Sequence, residues 1–142
     1  MSKYEFAIHG IEGEFLNPNG AIVKMRSTQA GLAFTMPKGG GNWVHFALTS
    51  PKFINDKPMK IQSIWFRCSV SDDAIIDSIA VHDESVSVYE HPEHLVGRSD
   101  EVFVRSFDAH QINSGIVISF RVGVNADDAE INFMAVGMVL TD

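Results

Sequence analysis

The chain has 142 residues, 45% hydrophobic and 20% charged, which is enough for one hydrophobic core and unlike the composition of a disordered chain. Eighteen acidic residues against eleven basic ones leave a formal charge of −7, and the lysines and arginines are scattered, so phosphate backbones are repelled and nucleic acid is not an expected partner. One cysteine, Cys68, excludes an internal disulfide or a multi-cysteine zinc site and points to the cytoplasm.

In chain order, Met1 to Leu16 mixes Lys3, Glu5, Glu12 and Glu14 into its apolar residues, so no export signal is expected there, while Tyr4 to His9 reads as a first strand. Asn17-Pro18-Asn19-Gly20 is turn chemistry, followed by strands at Ala21 to Arg26 and Leu32 to Met36. Lys38-Gly39-Gly40-Gly41 lacks the Gly-Lys-Ser/Thr ending of a phosphate loop and leads into a strand, so it reads as a flexible hairpin connection.

Asn42 to Thr49 alternates, with Val44, Phe46 and Leu48 on one face and Trp43 and His45 on the other. After the turn at Asn55 to Pro58, Met59 to Val70 places Ile64, Phe66, Cys68 and Val70 opposite Ser63, Arg67 and Ser69. A thiol on that apolar face is expected to be an inert small hydrophobe, which leaves covalent catalysis without a visible nucleophile.

Ala74 to His82 and Val86 to Tyr89 are strands, His91-Pro92-Glu93-His94 reads as a loop, and Val102 to Phe107 and Ile116 to Val124 are strands again. In the last of these, Ile116, Ile118, Phe120, Val122 and Val124 oppose Ser119 and Arg121. Asp127 and Glu130 followed by Ile131, Met134, Ala135 and Met138 fit a capped helix, but Gly137, Val136 and Val139 favour a strand over Ile131 to Leu140. The Phe133 to Leu140 stretch is too short to cross a bilayer, so no membrane partner is expected.

These ten segments, with turn residues about every 8 to 12 positions, predict an all-β, antiparallel two-sheet sandwich occupying residues 1–142 as a single domain. Gly31-Leu32-Ala33-Phe34 and Gly41-Asn42-Trp43-Val44-His45-Phe46, with Pro51 after them, resemble a family of small, functionally uncharacterised all-β bacterial proteins that carry an Asn-Trp-x-His-Phe strand. The resemblance extends to Ile79-Ala80-Val81-His82-Asp83 and Val122-Gly123-Val124. It implies a jelly-roll-like sandwich and implies no activity.

Three sets of residues are candidates for chemistry. Trp43 and His45, with Asn42, Trp65 and Arg67, could form a stacking platform with hydrogen-bonding groups for sugar rings; the ordinary reading is a sealed sheet edge and a cross-strand hydrogen bond. His91, Glu93 and His94, with His82 or Glu84, could bind zinc, although Pro92 rules out the helix that usually aligns such a pair. Asp72-Asp73, Asp127-Asp128 and Asp100-Glu101 could converge on calcium, although their usual role is turn formation.

The leading functional expectation is a non-enzymatic interaction or assembly module that forms a homo-oligomer. Apolar residues occupy both faces of several strands, as in Trp65 beside Phe66 and Phe103 and Phe107 beside Val102 and Val104, and a monomeric sandwich needs only one apolar face per sheet. The first alternative is a module that binds carbohydrate or another small ligand. The second is a cupin-like enzyme with a histidine-held metal; no cofactor is otherwise expected.

Overall fold

The computed structural model describes residues 2–16, 24–28 and 31–142, with only the backbone described for Ile11 and for 24–28. The turn expected at Asn17 to Gly20 and the start of the strand expected from Ala21 lie outside the described residues.

Among the described residues, alternation becomes strand where the sequence shows it. The strands are β1 (Lys3–His9), β2 (Glu14–Phe15), β3 (Lys24–Thr28), β4 (Gly31–Thr35), β5 (Gly41–Leu48), β6 (Phe53–Ile54), β7 (Lys57–Pro58), β8 (Lys60–Val70), β9 (Ala74–Asp83), β10 (Val86–Leu95), β11 (Arg98–Gln111), β12 (Ile116–Val124) and β13 (Glu130–Thr141). The described helical content is a 3-10 turn at Gly10–Glu12, and no helix is long and apolar enough to cross a membrane. The C-terminal segment is strand, as Gly137 and the β-branched residues favour.

One sheet runs β11-β8-β13-β4-β3, with β1 also on β13, and the other runs β10-β9-β12-β5-β2. Every pairing is antiparallel. The chain passes repeatedly from one sheet to the other, as between β4 and β5, β8 and β9, β10 and β11, β11 and β12, and β12 and β13, and β6 and β7 pair apart from both on the way from β5 to β8. This is the two-sheet sandwich that the alternation predicts, in the jelly-roll-like form that the resemblance implies.

One edge of β13 serves two partners end to end: β4 pairs with Glu130 to Phe133 and β1 with Ala135 to Thr141. The chains meet at the bulge around Met134, where β13 also shifts register against β8. Glycine is required at this junction, because a Cβ on Gly10 would lie 1.7 Å from the Phe133 carbonyl oxygen and one on Gly31, at φ 141°, 2.1 Å from it.

The inward faces interdigitate through five fully buried phenylalanines. Phe120 of the five-stranded sheet meets Phe66 and Phe133 of the other at ring centroid distances of 4.8 and 4.9 Å, and Phe46 meets Phe133 at 5.4 Å. Phe34 stacks on Phe133 from the far side. Each ring fully withdrawn from water contributes up to about 3 kcal/mol, so this cluster fixes how the sheets face each other.

Two local expectations are corrected. His91-Pro92-Glu93-His94 is not a loop: β10 runs through it to Leu95, because an edge strand tolerates a proline whose missing N–H has no ladder partner to serve. The triple-glycine stretch is not a hairpin but a crossing between sheets. It is held by the Gly39 N–H on the Val124 carbonyl (2.9 Å), the Val124 N–H on the Gly40 carbonyl (3.1 Å) and the Lys38 N–H on Asp127 Oδ1 (2.8 Å). Cys68 is fully buried, as expected, and burial pushes its thiol up to about 12.

Candidate ligand groove on the five-stranded sheet

The alternation of β5 buries Val44, Phe46 and Leu48 and sends Trp43, His45 and Ala47 to the outer face. Register places Arg121 of β12 directly opposite Trp43, and Ser119 opposite His45. The guanidinium carbon of Arg121 lies 6.0 Å from the Trp43 ring centroid, and Arg121 Nε donates to Asp77 Oδ1 at 2.7 Å. Asp77, Arg121 and Trp43 therefore form a chain in which the carboxylate holds the cation and the cation holds the indole.

Behind Trp43, its backbone N–H donates to Asn42 Oδ1 at 2.8 Å, and its carbonyl accepts from the Leu16 N–H at 3.0 Å. Asn42 is itself buried, so this candidate ligand residue supports the Trp43 backbone from beneath.

His45 Nδ1 and Ser119 Oγ share a hydrogen bond of 2.7 Å. Burial pushes the imidazole below its ordinary range, as does nearby His82, while Glu14 across the strand pair acts in the opposite sense. The net lowering leaves His45 a neutral imidazole at pH 7, a donor and acceptor rather than a cation. The cross-strand bond expected for His45 is thus present, and the residue still lines a cavity.

Next to His45 the sheet surface is floored by small side chains. Ser119 pairs with Ala80 and Ala80 with Glu90, while Val117 pairs with His82. Ala80 and Ser119 are buried, so larger residues rise around them. The result is a cavity of about 400 Å³ bounded by Trp43, Leu16, His45, His82, Glu84 and Glu90. A second cavity of about 600 Å³ shares His45 and Val117 and continues toward His9, Glu12 and Glu14. A third, of about 450 Å³, lies beyond Trp43 against Arg121 and Asp77. They lie in a row along the outer face, the first two sharing His45 and Val117 and the first and third sharing Leu16 and Trp43, and this row is the trough.

The wall at Glu84 is rigidly built. The β9–β10 turn holds Glu84 at φ 55°, and Ser114 Oγ donates to its carboxylate at 2.7 Å. The adjoining Asp83 carboxylate is buried and accepts from the N–H groups of Asn113, Ser114 and Gly115 at 2.7, 2.9 and 3.0 Å, and lies 2.9 Å from His110 Nε2. Burial raises its pKa, but the four hydrogen bonds outweigh that and hold it below the ordinary carboxylate range.

The other candidates separate. Trp65 and Arg67 lie on the outer face of the opposite sheet. There the Trp65 indole covers Gly137, with Nε1 buried and without a hydrogen-bond partner, and Arg67 is paired with Asp100. The Trp65 polar edge is therefore turned away from any ligand.

His91, Glu93, His94 and His82 do not gather. His82 faces the trough 3.7 Å from Glu90, and Glu93 is held by Arg105 Nε and Nη2 at 2.9 and 2.7 Å, with His91 Nδ1 3.0 Å away. The Arg105 cation already neutralises the carboxylate such a centre would need. Of the acidic pairs, Asp100 engages Arg67, Glu101 lies near Arg98, and Asp127 accepts from Lys38. Among the described residues no group of three or more His, Cys, Asp or Glu is arranged to hold a metal ion.

The surplus apolar residues are partly accounted for within the chain. Phe103, Arg105 and Phe107 of β11 close the open side of the sandwich against Tyr89 and Glu93 of β10; Phe107 stacks on Tyr89 at 4.9 Å and Phe103 on Phe66 at 5.2 Å. Val102 and Val104 stay outside, 58% and 59% exposed.

Sequence comparison places this architecture. The profile of a family described as being of unknown function, DUF6623, matches residues 1–140. The chain belongs to that family. No curated protein matches.

Among solved structures, DUF6623 as represented by this chain is similar in fold to the xylan-binding module CBM15 (TM-score 0.63, 14% identity, 99% of each chain covered). It is also similar to a low-affinity xylan-binding module, CBM86, from Roseburia intestinalis (0.54, 12%, 97% and 96%). A third is a family 29 carbohydrate-binding module from Piromyces equi (0.53, 8%, 98% and 91%). At these identities the likeness shows the fold, a β-sandwich shared across nearly the whole chain.

Sequence reasoning found Trp43 and His45, named His82 and Glu84 only as metal candidates, and missed Leu16, Ala80, Glu90 and Val117. The alternation of β12 already marked Ser119 and Arg121 as outward-facing. What was missing was that β12 lies beside β5, a pairing between distant segments that carries no local signal.

Proposed function

We propose that this chain is a non-catalytic carbohydrate-binding module in which the outer face of the five-stranded sheet receives a glycan chain, with a sugar ring stacked on Trp43. The observation that carries this reading is the trough itself: an indole set against Arg121 and tied by its own backbone bonds, between a cavity floored by Ala80, Ser119 and Val117 and another lined by Asp77 and Arg121. A pyranose ring offers C–H groups to an aromatic face and hydroxyls to its rim. Here His45, Ser119, Glu84 and Glu90 supply that rim. The fold shared with two xylan-binding modules and a family 29 module supports the reading by analogy.

Affinity electrophoresis through gels containing xylan, glucomannan, β-glucan or chitin tests it. Retardation by at least one polymer, relieved by Trp43→Ala, is expected. Free migration through all of them, or equal retardation of the variant, counts against the reading.

Self-association is a second reading, favoured by exposed Val102 and Val104 opposite Arg67 and Trp65 on the other sheet. Light scattering after size-exclusion chromatography would show a dimer or larger assembly that Val104→Lys disperses. A monomer at micromolar concentration removes it.

A further inference from the structure

The charge lining the trough is one-sided. Glu12 and Glu14 line the 600 Å³ section, and Glu84 and Glu90 line the 400 Å³ section. Among the described residues no lysine or arginine lines either. The basic-capable side chains there are His9, His45 and His82, of which His45 is pushed toward its neutral form. Arg121 lines only the third section, where its charge is met by Asp77 at 2.7 Å.

Of these carboxylates Glu84 is the tethered one, and Glu90 lies 3.7 Å from His82. Glu84 is fixed by Ser114 and by its turn, and Glu90 stands beside Ala80, whose methyl leaves the carboxylate beside the cavity. An anionic group on a sugar lying along the floor would face two carboxylates from each section, inside a molecule whose net charge is already −7. Concave sites focus such a field, and like charges brought together there are a strong means of rejecting a partner.

We infer that the groove sorts glycans by charge, accepting chains of uncharged sugars and rejecting chains that carry uronate or sulfate. This rests on the trough being a sugar site and adds the ligand class. The stacking surface at Trp43 supplies attraction that does not depend on charge, and the four glutamates supply the discrimination.

The test uses two neutral oligomers and their acidic counterparts: xylohexaose against the same hexamer bearing a glucuronosyl branch, and cellohexaose against its C6-oxidised uronate form. Titration calorimetry at low salt on the intact chain reads the affinities. In any pair whose neutral member binds, the acidic member should bind at least about tenfold more weakly. The gap should narrow in about 1 M salt, where the Debye length falls to about 3 Å. It should also narrow in the Glu84→Gln/Glu90→Gln double variant. An acidic oligomer that binds as well as its neutral counterpart, or a gap unmoved by salt and by the double variant, overturns the inference while leaving the sugar site standing. Absence of binding by all four oligomers removes the sugar site for these chains, and the inference with it.

Discussion

Arg121 and Trp43 face each other across the β5–β12 ladder, with the guanidinium carbon 6.0 Å from the indole centroid and its Nε bonded to Asp77. An arginine paired from behind with a carboxylate rests against the ring and favours this orientation, which lowers the ordering cost paid on binding.

The first consequence concerns these side chains. Trp43→Ala should weaken glycan binding by about 30-fold or more, the range of an anchoring aromatic at an interface. Arg121→Ala should weaken it less, because the indole remains but loses its fixed orientation. Calorimetry against a retarding polymer checks both, and unchanged circular dichroism shows that the fold is intact.

On the opposite sheet, a methyl on Gly137 would lie 2.3 Å from Trp65 Cε2, so Gly137→Ala must push the indole off the strand. Overpacking of this kind costs about 1–3 kcal/mol. A lowered melting temperature and altered Trp65 fluorescence are expected, with glycan binding retained. Loss of binding in this variant would place the ligand on the wrong sheet for our account.

Phe120→Ala and Phe133→Ala remove rings from the contact between sheets and should each cost about 3–5 kcal/mol. Denaturant unfolding measures this. A loss below about 1 kcal/mol would mean that the sheets are held together elsewhere.

Acid should loosen the groove wall through Asp83. Its folded pKa is depressed, because the hydrogen bonds from Asn113, Ser114, Gly115 and His110 outweigh its burial. Its contribution to stability is therefore complete above the unfolded value, about 3.9, and is lost as pH falls from there through the folded pKa. Stability measured across that acid range should fall in the native chain. The fall should be shallower in Asp83→Asn, which should already be less stable at neutral pH by about 1–3 kcal/mol.

Much of this fold is legible from period-two alternation. Val44, Phe46 and Leu48 are buried while Trp43 and His45 are not, and Cys68 and Phe66 point inward, because side-chain direction in a strand follows from position alone. Strand order is a different matter. That Ala80 lies between Ser119 and Glu90, or that β1 and β4 share one edge of β13, depends on pairings between segments tens of residues apart. Local signals also mislead where tertiary context prevails. Pro92 suggested a loop, but an edge position removes its penalty, and His91 beside it is drawn to Tyr89 and Glu93 rather than to an ion.

The most direct test of the groove is a two-dimensional amide and indole NMR titration of the labelled chain with xylohexaose. We expect shifts confined to the Trp43 indole and to the backbone around His45, Ala80 and Val117 to Arg121, saturating together. Shifts centred on Trp65, Val102 and Val104, or no shifts with any glycan that retards the protein, would contradict the account.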